Sequence, residues 1–267
     1  MDLKVHKTIP DIKWPHRIVD NFFSEKELSW VNKAFKYGLQ DLQKRHPNFF
    51  SNGTLKEYEE LKHLIRKDRL VTGFSAYVPF WNTERIADVI DDVWKEATEI
   101  YPYQKNQSIR RKDYFSFLEL NIYPVGMSYS PHMDVDYKAF TGVVYIGEEG
   151  DGTTLICSPN RVDVTWKNNR GVLFMNCDKE RRVKKDRKDE LSTWHNYANK
   201  TDELRFAVNF NMTHPDNVGN LLTLMHFRDK DLFYPTKVMK KYMPKFGPIE
   251  VNYLPENKVP FGDKEKK

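Results

Sequence analysis

His132 stands two residues before Asp134, and a second histidine, His195, lies far downstream with Arg205 ten residues beyond it. Two imidazoles and one carboxylate are ligand types that suit Fe(II), and equally Mn, Co or Zn. They occupy one face of an octahedral ion and leave the other open to a cosubstrate and oxygen. Arg205 extends the pattern. A buried, always-charged guanidinium needs an anion, and its planar fork matches a carboxylate through two parallel hydrogen bonds. A His-x-Asp pair alone is a weak signal; its order with His195 and Arg205 gives it weight. On an extended segment residues i and i+2 project from one side, so His132 and Asp134 share a face.

The rivals are few. Asp136 has the wrong spacing from His132, and His214 follows Arg205 instead of preceding it. His6, His16, His46, His63 and His226 have no partnered spacing and are read as surface or core residues. The ordinary alternative for Arg205 is a salt bridge, with Glu203 the nearest carboxylate in sequence.

Positioning these side chains needs a scaffold, and the hydrophobic period changes midway to supply one. A capping box, Ser24-Glu-Lys-Glu27, precedes Leu28, Val31, Ala34, Phe35 and Leu39 at helical spacing, which predicts a helix to about residue 43. Residues 54–67 read as a second helix and 71–80 as a strand. Thr83 is expected to cap a helix whose stripe is Ile86, Val89, Ile90, Val93, Trp94 and Ala97. From residue 114 the pattern becomes strand-like, over 115–123, 139–146, 153–157, 163–166, 171–176, 193–196 and 204–212. Turn signals at Gly126, 147–152, 158–160 and 168–171 separate them. Many short strands so punctuated predict a sandwich or jelly roll.

Composition agrees with a folded chain. Of 267 residues 39% are hydrophobic and 14% aromatic, enough for a sizeable core, and the formal charge of +5 is mild. No apolar run reaches the roughly 18–20 residues of a membrane span, and the first residues carry no signal-peptide core. The two cysteines, Cys157 and Cys177, read as buried thiols in a reducing compartment, so the expected location is cytoplasmic. Residues 179–190 carry seven cations and four anions, read as a solvated loop. Docking of an acidic peptide or nucleic acid there is the sharper alternative, and no aromatic-interleaved basic patch supports nucleic acid.

The chain resembles the 2-oxoglutarate/Fe(II) dioxygenase superfamily, most closely its prolyl-4-hydroxylase-like branch. The resemblance rests on Tyr123-x-x-Gly126-x-x-Tyr129-x-Pro131-His132-x-Asp134, then Gly150-Asp-Gly-Thr-Thr-Leu155, which looks like that branch's Gly-Gly-Glu-Thr turn. Gly171-Val-Leu-Phe-Met175, Trp194-His195 and Arg205-Phe-Ala-Val-Asn-Phe210 follow, and Ile18-Val-Asp-Asn-Phe-Phe-Ser24 is similar to the segment that opens the domain. It implies a mainly β fold with helical support: a double-stranded β-helix (jelly roll, cupin-like) packed by N-terminal helices. One dioxygenase domain would span 1–212, with helical support over 18–113 and the β-helix core over 114–212; 213–267 would be a C-terminal extension.

The same resemblance implies that His132, Asp134 and His195 hold Fe(II) and that Arg205 takes the distal carboxylate of 2-oxoglutarate. Tyr123 would be a hydrogen-bonding partner of that cosubstrate and Tyr129 would line the pocket near the metal. O2 would be consumed, 2-oxoglutarate converted to succinate and CO2, and an aliphatic C–H hydroxylated, with ascorbate a candidate accessory. The implied substrate is a prolyl or other amino-acid residue in a peptide or protein. The alternatives are a free amino acid or small molecule, or a β-helix binding module without turnover. Two departures weaken the prolyl inference: Arg205 stands where collagen-type enzymes usually have Lys, and the acidic position of the Gly-Gly-Glu-Thr turn is shifted. Asp134, where halogenating relatives have Gly or Ala, argues against halogenation.

Overall fold

Asn52 and Gly53 take positive φ, at 50° and 79°, and fold the chain back on itself early. The computed structural model describes residues 1–6, 8–64, 74–79, 83–101, 114–134 and 138–213. In chain order its strands are β1 (Lys4–His6), β2 (His16–Asp20), β3 (Phe50–Ser51), β4 (Thr54–Leu55), β5 (Phe74–Pro79), β6 (Phe115–Tyr123) and β7 (Ser128–His132). They continue with β8 (Lys138–Ile146), β9 (Gly150–Cys157), β10 (Asn160–Trp166), β11 (Arg170–Met175), β12 (Trp194–Ala198) and β13 (Arg205–Thr213). The helices are α1 (Glu25–Arg45), α2 (Tyr58–Leu64), α3 (Ala87–Ile100) and α4 (Lys179–Lys184).

Two antiparallel sheets form the body. The larger runs β1-β2-β11-β8-β13-β6-β5 and the smaller β10-β9-β12-β7. This is the jelly-roll arrangement expected, and strand alternation divides its residues cleanly. On the large sheet Leu118, Leu120, Ile122, Val144, Ile146, Val208, Phe210 and Met212 turn outward and join Trp30, Val31, Phe35, Ile90 and Val93 of the helices in one apolar cluster. Their neighbours Tyr123, Tyr145, Val172, Phe174 and Ala207 turn inward and pack with Leu155, Cys157, Trp166 and Tyr197 of the small sheet. One face is therefore helix-covered core, and the other is the wall of a barrel.

Local chemistry explains most boundaries. The Ser24 side chain accepts from the Glu27 backbone, and the Glu27 carboxylate accepts from the Ser24 backbone N–H at 2.8 Å, so α1 starts on the expected capping box. The expected helix over 54–67 is corrected: its first residues pair in the β3–β4 hairpin, and only Tyr58–Leu64 is helical among the described residues. The Asn-Gly turn that closes the hairpin needs left-handed residues at both central positions, which these two supply. The Thr83 side chain makes no capping bond, and α3 is entered through a 3-10 turn at Glu84–Ile86. Residues 147–152 are not all turn either, because β9 begins at Gly150. A Cβ at Gly152 would sit 2.0 Å from the Val164 carbonyl, so glycine there allows the two strands to meet at the bulge in β10.

The segment 179–190 opens with α4, capped by Asp178, instead of running wholly as a loop. Arg181 pairs with Asp178 and Asp189, and Lys184 with Glu180, so part of the basic charge is matched locally. No described helix is long and apolar enough to cross a membrane. Asp136 and His214 lie outside the described residues, as does the expected extension over 213–267 apart from Thr213, which ends β13.

Candidate metal centre and active site

β7 and β12 lie side by side in the small sheet with His132 and His195 as Cα partners, which brings residues from distant parts of the chain together. Asp134 follows just past the end of β7. One ligand atom from each of His132, Asp134 and His195 lies within 4.8 Å of the other two. The three predicted ligands thus form one cluster at the barrel interior; His195 is 5% exposed and Asp134 9%.

Each imidazole is oriented by its own backbone. His132 Nδ1 lies 2.9 Å from the Ser130 carbonyl, and His195 Nδ1 lies 3.0 Å from the Thr193 carbonyl. A carbonyl only accepts, so both Nδ1 atoms carry the proton and both Nε2 lone pairs are left for a cation. These carbonyls, two residues before each histidine, are the tautomer-fixing partners that the sequence does not reveal. Burial drives the His195 pKa down to about 4, aided by the neighbouring His132, so that ring is neutral at physiological pH. For Asp134, burial opposes ionisation, but Lys138, the two imidazoles and a hydrogen bond from Thr141 outweigh it and hold the carboxyl well below the usual range. Thr141 Oγ donates to Asp134 at 2.5 Å, and Lys138 Nζ lies 3.4 Å away. Neutral imidazoles and an ionised carboxylate are the protonation states a divalent cation requires, so the donor set fits Fe(II).

Arg205 begins β13 and is 5% exposed. The expected alternative, a salt bridge with Glu203, does not form: Nη1 donates to the Glu148 carbonyl at 2.7 Å and Nη2 to the Glu149 carbonyl at 3.3 Å. The guanidinium also lies over the Trp166 ring at 5.4 Å. Gly150 makes room for it, since a Cβ there would meet Nη2 at 2.4 Å. Two polar atoms nearby are buried without a partner, Arg205 Nε and Tyr197 Oη. Buried orphan donors are costly, about 1–3 kcal/mol each. A dicarboxylate, which only accepts, is the chemistry that would satisfy them, so these residues fit 2-oxoglutarate.

Tyr123 is the Cα partner of Arg205 across β6–β13 and packs on Tyr197 at 5.1 Å between ring centroids. Burial raises its pKa well above 10, with Tyr129 and Glu119 adding to the shift, so it stays a neutral phenol. Tyr129 lies 6.0 Å from Tyr123 and 5.7 Å from the His132 ring, beside the His132–Asp134–His195 cluster. The sequence reading missed Thr141, Lys138, Tyr145, Trp166 and Tyr197. Tyr145 stacks on Trp166 at 4.6 Å and accepts from the Thr153 backbone at 2.9 Å. Its inward parity on β8, shared with Thr141 and Val143, was the available signal.

No family model matches the chain, and no curated protein matches it. Among solved structures, a viral collagen prolyl hydroxylase from Paramecium bursaria Chlorella virus-1, in complex with 2-oxoglutarate, is 17% identical with a TM-score of 0.41, over 76% of this chain and 97% of that one. A prolyl-4-hydroxylase from Pseudomonas putida is 13% identical at TM-score 0.36, over 76% of this chain and 94% of that one. A prolyl hydroxylase from Trichoplax adhaerens, in complex with a hypoxia inducible factor peptide, is 17% identical at TM-score 0.41, over 76% and 86%.

Proposed function

We propose that this chain is an Fe(II)- and 2-oxoglutarate-dependent dioxygenase, an oxidoreductase that hydroxylates an aliphatic C–H of an amino-acid residue in a peptide or protein. The resemblance to prolyl 4-hydroxylases points to prolyl. One observation carries the reaction class: three ligand atoms within 4.8 Å, with both imidazoles presented in the metal-binding tautomer by their own backbone carbonyls. When bound, iron and 2-oxoglutarate would supply the oxidising chemistry, with O2 consumed, succinate and CO2 released, and hydroxyl delivered to carbon.

The protein's residues do the rest. His132, Asp134 and His195 would hold the metal by one face. Arg205, anchored by the Glu148 and Glu149 carbonyls, would keep its charge aimed at the distal carboxylate of the cosubstrate, with Tyr197 and Tyr123 alongside. Trp166, Tyr145 and Leu155, all buried, exclude water from that end. The two buried, unpaired thiols fit a reducing compartment, and we place the protein in the cytoplasm on that basis.

The test is an anaerobic titration of apoprotein with Fe(II) and then 2-oxoglutarate, following the visible charge-transfer absorption of a metal-chelated keto acid. The band is expected with the native chain and absent in His132→Ala. Arg205→Ala should weaken 2-oxoglutarate about 10–100-fold, the loss of a charge-assisted pair, while leaving iron binding in place. Iron bound with no band would end the 2-oxoglutarate assignment.

A further inference from the structure

The inward face of β6 and β13 changes character along its length. Next to Arg205 it carries Tyr123 and Ala207; farther along the same parity places Asn121, Glu119, Asn209 and Asn211. Asn209 is the Cα partner of Glu119, and Asn211 is the Cα partner of Thr141, the residue that donates to the metal ligand Asp134. Asn176, at the end of β11, closes the group by donating to Thr141 Oγ at 3.3 Å. Asn121, Asn176 and Asn211 are 0% exposed, and Glu119 is 5% exposed. Four amides and a carboxylate in a barrel wall beside a metal cluster are not core packing.

Three of these side chains have a buried oxygen without any hydrogen-bond partner: Asn176 Oδ1, Asn209 Oδ1 and Asn211 Oδ1. For Asn176 and Asn211 the amide orientation follows from the nitrogens. Asn176 Nδ2 donates to the Lys138 carbonyl at 2.7 Å, and Asn211 Nδ2 to the Asn209 carbonyl at 3.4 Å. In these two the oxygens are therefore the free ends. Each unmatched buried acceptor costs about 1–3 kcal/mol, so three together mark a place where a donor is meant to arrive. 2-Oxoglutarate cannot be that donor, because both of its carboxylates and its keto group only accept. The contrast with the Arg205 end, where the unmatched atoms are donors, separates two subsites along one sheet face.

We infer that the second subsite receives a nitrogen head group, an ammonium or guanidinium, carried by the substrate next to the carbon that is hydroxylated. The inference rests on the dioxygenase reading above and sets aside prolyl, to which the resemblance alone points, in favour of a residue that carries a nitrogen head group. A prolyl ring offers no N–H of its own, so it brings no donor to these oxygens from the residue that is hydroxylated. Lysyl and arginyl side chains, and the ammonium of a free amino acid, bring two or more N–H donors each. The Glu119 carboxylate on the same face favours a charged donor over a neutral one. Lys138, the facing cation, is engaged with Asp134 at 3.4 Å.

The test uses the full chain with Fe(II) and 2-oxoglutarate bound without oxygen, so that the charge-transfer band reports both resident groups before substrate is added. L-Lysine, L-arginine, free L-proline, and capped peptides containing a single lysyl, arginyl or prolyl residue are titrated in turn while the position of the band is followed. Cationic probes are expected to shift the band and the capped prolyl peptide is not. A response to capped lysyl or arginyl peptides assigns the head group to a side chain, and a response confined to free amino acids assigns it to an α-ammonium. Asn211→Leu should weaken the cationic probe at least tenfold with the 2-oxoglutarate band retained, whereas Asn211→Asp, which keeps the acceptor, should bind it as well or better. A band that responds only to the prolyl peptide, or equally in native and Asn211→Leu protein, overturns the inference. Failure of the band to form at all overturns the dioxygenase reading beneath it.

Discussion

At the scale of single residues, the candidate centre depends on groups outside the His132–Asp134–His195 cluster. Thr141 Oγ holds Asp134, and the hydroxyl is itself an acceptor for Asn176. Thr141→Val keeps the shape and removes that hydrogen bond; metal affinity should fall about 10–100-fold, with unchanged folding by circular dichroism. Calorimetric titration with Mn(II), which avoids oxidation, reads this directly. Gly150 makes a second such demand. In Gly150→Ala the new methyl meets Arg205 Nη2, so the guanidinium must leave its carbonyl anchors. The expected outcome is a raised Kd for 2-oxoglutarate with metal affinity preserved, a split that equilibrium binding measures without turnover.

At the scale of elements, the sequence was informative wherever a pattern was local. The α1 capping box, the helical stripe of α3 and the alternation of β6, β8 and β13 all follow from neighbours a few residues apart. Ser24→Ala should cost about 1 kcal/mol, since the cap satisfies orphan N–H groups at the helix start. In a chain this long that is a fall of roughly 2–4 °C in Tm. The cluster of His132, Asp134 and His195, and the burial of Arg205, were legible as well, because their order along the chain is itself a pattern. What remained hidden depends on contacts far apart in sequence. Tyr197 and Trp166 reach Arg205 only once β12, β10 and β13 are assembled, and Gly152 is read as a turn until Val164 is seen against it. The Asn52-Gly53 hairpin is different: its signal was present and a helical reading of 54–67 overrode it.

At the scale of the whole molecule, stability is tied to pH through a histidine remote from the metal. His16 is fully buried on β2, its Nδ1 donating to the Trp14 carbonyl at 2.9 Å and its Nε2 accepting from the Ile9 backbone at 2.9 Å. Desolvation lowers its pKa from the usual 6.5, with Arg17 adding to the shift, while the Trp14 carbonyl and Glu96 oppose it. Above 6.5 neither folded nor unfolded chain is protonated there, so the stabilisation is complete. Below it the unfolded chain takes up the proton first, and stability is lost as pH falls, by at most about 1.4 kcal/mol per pH unit. Urea midpoints should drop between pH 7 and 5 in the native chain, and His16→Gln, which can make both hydrogen bonds uncharged, should make that drop shallower, with buried His195 supplying the remainder. Asp20 acts in the same direction at lower pH. Its carboxyl is held far down chiefly by Arg170 against the cost of burial, with His6 contributing, so its share persists above the ordinary carboxylate range and fails below it.

The two-sided large sheet has a consequence for how such a protein changes over time. In β13 the residues Phe206, Val208, Phe210 and Met212 belong to the helix-covered side, and Arg205, Ala207, Asn209 and Asn211 to the barrel side. Stability is written in one set of alternate letters and, on the substrate reading proposed above, selectivity in the other. A lineage can therefore exchange Asn209 or Asn211 and inherit a new diet without renegotiating the core, whereas inserting a single residue into the strand would scramble both texts at once.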